Sequence, residues 1–205
     1  GAAWLDNDDD LVPRELSSLR DEVAATLERH AESEDSARKA LRGLRRRELL
    51  RIALSSMVGV SDITQVGQAL TTLSRAHLEG IVNLIRQPSD GIEFSIIAMG
   101  RLGGAELSFG SDLDVIYVFR DNGAGDQAHA VAERIVKEIS RVSEDLLFPV
   151  DLDAGLRPEG KNGPMVRSLD AYAAYYERWA LGWEAQALLR AAPYVGAESL
   201  SEDFV

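Results

Sequence analysis

Residues Ile92 to Arg120 read IEFSIIAMGRLGGAELSFGSDLDVIYVFR, and the fold turns on this stretch. It opens with an apolar run, Phe94 to Met99, and closes with another, Val115 to Phe119. Both are rich in β-favouring residues and predict strands buried on at least one face. Between them stand a glycine-containing turn, Gly100-Arg101-Leu102-Gly103-Gly104, and the run Ser111-Asp112-Leu113-Asp114. Asp112 and Asp114 are two apart at the entrance to a strand, so side-chain alternation puts both carboxylates on one face. Two like charges held that close repel unless a cation lies between them. Hard oxygen ligands of this kind suit Mg²⁺, which keeps several waters and takes further ligands from substrate phosphates.

Upstream, the pattern is helical. From Pro13, apolar residues recur at Leu16, Leu19, Val23 and Leu27 after an acidic segment, Leu5 to Asp10, that reads as frayed. A second helix turns Ala37, Leu41, Leu44, Leu49, Ile52 and Ala53 inward. Its other face carries Arg42, Arg45, Arg46, Arg47 and Arg51, which reads as a solvated face paired with the acidic N-terminal segment, the alternative being a docking surface for an acidic partner. Ser61 and Asp62 read as the N-cap and first turn of a third helix reaching about Arg86. Its inner face comprises Ile63, Val66, Leu70, Leu73, Leu78, Ile81, Val82 and Ile85. The loop signal Gln87-Pro88-Ser89-Asp90-Gly91 divides a helical region, 1–88, from an α/β region, 89–205.

Downstream, Ala128 to Leu146 predicts a helix, long enough for a crossover, that covers one sheet face. Leu147 to Asp153 predicts a third strand in which Asp151 and Asp153 share a face, with Pro149 marking an edge or a late start. A turn-rich loop, Leu156 to Pro164, carries Arg157 and Lys161, and Arg157 is expected to be exposed there with few packing duties. Helices are expected over Leu169 to Ala180 and Trp183 to Ala192, with the aromatic residues near Trp179 in the core. His30, His77 and His129 lack ligand spacing and read as surface or boundary residues.

Composition narrows the function classes. The chain has 205 residues, 45% of them hydrophobic, enough for one domain or two small ones with a real core. There is no cysteine, which excludes disulfides, thiolate metal sites and a cysteine nucleophile. A net charge of −12 argues against a general nucleic-acid binder. No apolar run approaches the length of a membrane span and no signal-peptide pattern is present, so a cytoplasmic protein is expected.

The chemical parts fit nucleotide transfer. Asp112, Asp114 and one of Asp151 or Asp153 can meet across adjacent strands and hold one or two Mg²⁺ ions. The backbone of the Gly100–Gly104 turn can approach phosphate closely, and Arg157 and Lys161 can neutralise charge on a leaving group. Neither a Walker A sequence nor GxGxxG is present, which excludes the usual P-loop and dinucleotide readings.

Gly100-Arg101 followed, after ten residues, by Asp112-Leu113-Asp114 resembles the nucleotidyltransferase superfamily that includes DNA polymerase β. Three strings are similar to the bacterial glutamine synthetase adenylyltransferases: Gly100 to Leu107 with Gly110 to Asp114, then Asp153 to Gly163, then Trp183-Glu184 with Leu188 to Ala191. The resemblance implies an α+β fold, with helices followed by a polymerase β-like mixed sheet flanked by helices. It implies that Asp112, Asp114 and Asp153 are the catalytic and metal-binding carboxylates, Asp153 because it stands three residues before Leu156-Arg157-Pro158. It also implies a nucleotide held near Gly100, Arg101, Gly103, Gly104, Ser111, Arg157 and Lys161. Gly155 departs from the family pattern, which usually has a polar residue there.

The family's enzymes hold two related transferase domains. One moves AMP from ATP to a tyrosine of glutamine synthetase, the other removes AMP by phosphorolysis, and a nitrogen-signalling regulatory protein sets the balance. The resemblance is nearer the adenylylating half. The adenylyl-removing half, and transfer to another acceptor, are the alternatives.

Overall fold

A computed structural model describes residues 8–205. Leu5, Asp6 and Asn7 of the acidic start lie outside the described residues; Asp8–Leu11 forms a single 3-10 turn. The described residues pack as two units. One runs through Leu84 and includes Ala105–Ser111; the other comprises Ile85–Gly104 and Asp112–Val205. Among the described residues, no helix is long and apolar enough to cross a membrane.

The first unit is built on helices α1 (Leu16–Arg29), α2 (Glu34–Met57) and α3 (Ile63–Ile85). Leu19, Val23, Leu41, Leu44, Ile52, Leu70, Leu73, Leu78 and Ile81 are buried at helical spacing. Two expectations fail at the start of α3. Asp62, not Ser61, caps it: Asp62 Oδ1 accepts from Gln65 N and Gln65 Oε1 accepts from Asp62 N, each at 2.8 Å. Ser61 is buried instead, its hydroxyl 2.6 Å from that of Ser55. Ile63 is 89% exposed because the first turn of α3 projects beyond its packed face.

A polar residue sits where α2 turns inward. Glu48 is buried, with Arg14 Nη1, Arg47 Nε and Arg51 Nε at 3.6, 3.5 and 3.0 Å. Arg47 also pairs with Glu22 of α1, and Arg51 donates to the Asp10 carbonyl. The arginine face of α2 is therefore tied partly into its own unit.

The second unit is a mixed sheet. Strands β1 (Ile92–Ala98) and β2 (Leu113–Asp121) pair antiparallel through the whole of β1. Helix α4 (Gly100–Gly103) is the single turn that follows β1. Helix α5 (Ala128–Ser143) leads to β3 (Leu152–Asp153), which returns parallel to β2, as a helical crossover permits. Strand β4 (Val166–Ser168) also pairs parallel with β2. Helices α6 (Leu169–Arg178) and α7 (Gly182–Leu188) precede β5 (Ala192–Gly196), which pairs antiparallel with β1 and is followed by α8 (Glu198–Phe204).

β2 is apolar from Val115 to Phe119 because it is covered on both faces. On one face Phe94 stacks near Tyr117, and Phe119 meets His129 of α5. On the other, Ile97, Met99, Ile116 and Val118 pack with Tyr172 of α6 and Leu200 of α8. This is the expected α+β architecture, with differences in detail. Helix α5 stops at Ser143, leaving Leu146 fully exposed. The third strand shrinks to two residues, consistent with Pro149 delaying it. The expected helix to Ala192 ends at Leu188, and Ala192–Gly196 is an edge strand, where Pro193 is tolerated. Tyr172 is core, whereas Trp179 and Trp183 are exposed. His77, expected at the surface or a boundary, is buried.

Candidate active site

The site is built where β2 begins beside β3. Asp112 immediately precedes β2 and is exposed; Asp114 lies within it, half-buried. The parallel register sets Asp114 directly against Asp153. Neighbours in register project to the same face, so the three carboxylates converge, each offering an oxygen within 4.8 Å of the others. Asp151 is exposed and outside this group; its carbonyl instead accepts the Leu113 N–H at 2.7 Å.

The backbone around the carboxylates explains two glycines. Gly100 has a left-handed φ of +51°, and a Cβ there would lie 2.3 Å from Asp114 Oδ2. The turn can follow β1 closely only without a side chain. At Gly103 a Cβ would fall 1.8 Å from the Arg190 carbonyl, so this glycine lets α4 pack against the chain entering β5. The N–H groups of Gly103 and Gly104 donate to Met99 O and Gly100 O, at 2.8 and 3.2 Å. The turn itself uses those donors. Met99 N donates to Asp114 O at 2.9 Å, tying the end of β1 to the carboxylate strand.

Asp153 is oriented by its own loop, since Oδ1 accepts the Gly155 N–H at 2.7 Å. Burial holds the Asp114 carboxyl above its usual range, the charges of Asp112 and Asp153 push it the same way, and Arg101 partly opposes them. A divalent cation would relieve this repulsion. The donor set, three carboxylates and nothing softer, fits Mg²⁺.

The cations divide differently. Arg101 and Lys161 are exposed. Arg157, expected on an open loop, is buried. Its guanidinium donates to the carbonyls of Gly163, Ala154 and Lys161 at 3.2, 2.7 and 3.4 Å, so it organises the 154–163 loop from within. A loop that must turn back on itself needs such an internal donor, and that corrects the exposed-arginine expectation. Ser111 belongs to the first unit, where its hydroxyl accepts from Ser108 N at 3.1 Å.

Sequence reasoning gave no role to Glu184 as a residue. It is 1% exposed and accepts hydrogen bonds from Tyr175, Leu181 and Glu159. The only sequence signal was its place in the Trp183-Glu184 pair.

The sequence family described as glutamate-ammonia ligase adenylyltransferase matches residues 2–205. The chain belongs to that family. Relatives named bifunctional glutamine synthetase adenylyltransferase/adenylyl-removing enzyme include one from Leifsonia xyli subsp. xyli, 52% identical over 98% of this chain and 20% of that protein. Those from Mycobacterium bovis and Streptomyces coelicolor are 41% and 40% identical, each over 95% of this chain and 20% and 22% of theirs. The chain thus spans about a fifth of the length of the adenylyltransferase relatives it matches.

Proposed function

We propose that this adenylyltransferase-family chain moves AMP from ATP to a tyrosine hydroxyl of glutamine synthetase in the cytoplasm. In this reading it acts under a nitrogen-signalling regulatory protein. The observation that carries the reading is the convergence of Asp112, Asp114 and Asp153 at the junction of β2 and β3. The acceptor comes from the names of the relatives, and the adenylylating direction from the sequence strings around Asp114 and Arg157.

Asp112, Asp114 and Asp153 would hold Mg²⁺. Bound there, the ion would neutralise nucleotide phosphate charge and favour in-line attack. The residues of the chain supply the rest. A tyrosine hydroxyl has an ordinary pKa of about 10 and is a poor nucleophile at neutral pH. Asp153, oriented by Gly155 N–H, is placed to take its proton. Gly100, whose lack of a side chain lets the turn lie against Asp114, brings the backbone beside the phosphates in this reading. Exposed Arg101 and Lys161 neutralise charge on the leaving diphosphate. Ser111 keeps a place beside the nucleotide by its adjacency to Asp112 alone. Arg157, with its nitrogens bonded to carbonyls, shapes the loop.

The relatives' names carry both directions of the reaction, so the experiment has two arms. Labelled ATP, Mg²⁺ and glutamine synthetase test transfer; AMP-modified synthetase with phosphate tests removal. Label appearing on synthetase supports the adenylylating reading. ADP formed only in the second arm replaces it with the removing one, and silence in both arms defeats both.

A further inference from the structure

Glu184 is a buried carboxylate outside the metal group. Its partners are neutral donors. Oε2 accepts the Leu181 N–H at 2.8 Å, and Oε1 accepts the Glu159 N–H at 3.2 Å. The Tyr175 hydroxyl lies 3.1 and 3.3 Å from the two oxygens. The Leu181 bond caps α7, and a cap needs only one oxygen. The second oxygen reaches across to a different segment, the loop that follows Asp153.

At Glu159 that loop adopts a left-handed φ of +63°, unusual for a residue with a side chain. Such a conformation persists only where its surroundings over-determine it. Here they do so from two sides. Glu184 holds the Glu159 N–H, and Arg167 of β4 pairs with the Glu159 side chain. The next residues, Gly160–Asn162, form the 3-10 turn that presents Lys161 to solvent. Releasing the Glu159 amide would let that turn relax and move Lys161.

We propose that Glu184 is the positioning residue of the 154–163 loop, holding the strained Glu159 turn so that Lys161 meets the nucleotide phosphates. The proposal rests on the nucleotidyl-transfer reading above. It also explains why a carboxylate stands at this position. Both oxygens face backbone N–H groups, so a carboxamide would set its NH₂ against one of them. Glu184→Gln is therefore a nearly isosteric change whose one oxygen stays with the shorter Leu181 cap bond and releases the longer Glu159 bond.

The test is a double-mutant cycle on Mg²⁺–ATP binding, measured by calorimetric titration of the protein. Glu184→Gln and Lys161→Ala should each weaken binding about tenfold, and the double variant no more than either alone. The Glu159 amide should exchange faster with solvent in Glu184→Gln. If that variant does not fold, Glu184→Asp, which keeps the charge but shortens the reach, replaces it. Wild-type affinity in the Glu184 variant, wild-type affinity in Lys161→Ala, or losses that multiply in the double variant overturns the proposal. Asp153→Asn, assayed alongside for AMP transfer, reports separately on the parent reading: full transfer by that variant sinks the metal-site assignment while the binding cycle still judges Glu184.

Discussion

The two units treat acidic groups in opposite ways. In the helical unit, buried Glu48 has three arginines, Arg14, Arg47 and Arg51, within 3.6 Å. In the sheet unit, half-buried Asp114 faces two more carboxylates, and among the described residues Arg101 alone opposes them. A protein able to neutralise one carboxylate so thoroughly leaves the other group short of positive charge. The contrast distinguishes a charge kept for cohesion from a charge held ready for a ligand.

The largest effect should come from the uncompensated group. Asp153→Asn removes a charge with little change of shape and should lower AMP transfer by roughly 10³-fold or more, the scale of losing a preorganised electrostatic group. Its melting temperature should hold or rise, because a repulsion is removed. Asp151→Asn, altering an exposed side chain outside the group, should stay close to wild type in both respects. The reverse ranking in a parallel assay of the two variants would move the metal site by two residues.

Glu48→Ala should invert that pattern. Breaking a buried ion pair leaves its partners uncompensated, and about 3 kcal/mol of stability should be lost, with the arginines' partial exposure keeping the cost low. Urea unfolding would measure it. Mg²⁺ affinity should not change; a parallel loss of metal binding would blur the contrast between the units. Arg157→Ala should cost about 2 kcal/mol, because a buried guanidinium loses its bonds to three carbonyls. Transfer should fall with it, since the loop carrying Lys161 loses its internal support. Activity lost at unchanged stability would restore Arg157 to direct phosphate contact.

The smallest effect concerns pH. Asp114 is held above its ordinary carboxylate range by burial and by Asp112 and Asp153. A raised folded pKa favours the protonated folded form, so this contribution to stability is complete below the unfolded pKa. It is lost as pH rises through the folded value. Metal-free protein should therefore lose a little melting temperature across that interval, and Mg²⁺ should restore it on the neutral side. Stabilisation by Mg²⁺ that does not diminish as pH falls through the interval would contradict this account.

What could be read in the sequence follows burial and period. β1 and β2 were legible because their apolar runs are continuous, and the Asp112–Asp114 spacing gave their shared face directly. Asp62 and Gln65 form a capping box that the Ser61 reading passed over, one residue away. Charged residues inside the protein were the hardest to see. Arg157, Glu184 and Glu48 are surface residues by every compositional rule, yet each is buried: Glu48 beside Arg14, Glu184 beside the Glu159 amide, and Arg157 inside the turns of its own loop. β5 was hidden for another reason. Five residues containing a proline carry little pattern, and the strand exists because β1 offers it an edge.

The two-residue length of β3 has a consequence for kinetics. Asp153 is carried by a ladder only two residue pairs long, whereas β1 and β2 share seven. Short edges open first, at a free energy well below that of global unfolding. The third carboxylate should therefore detach and return many times while β1 and β2 stay paired. A cation bridging Asp112, Asp114 and Asp153 would act as a clasp on that fraying edge. Native-state hydrogen exchange at Leu113 N, which donates to Asp151 O, would then report each release, and added Mg²⁺ would slow it more than exchange in the centre of β2.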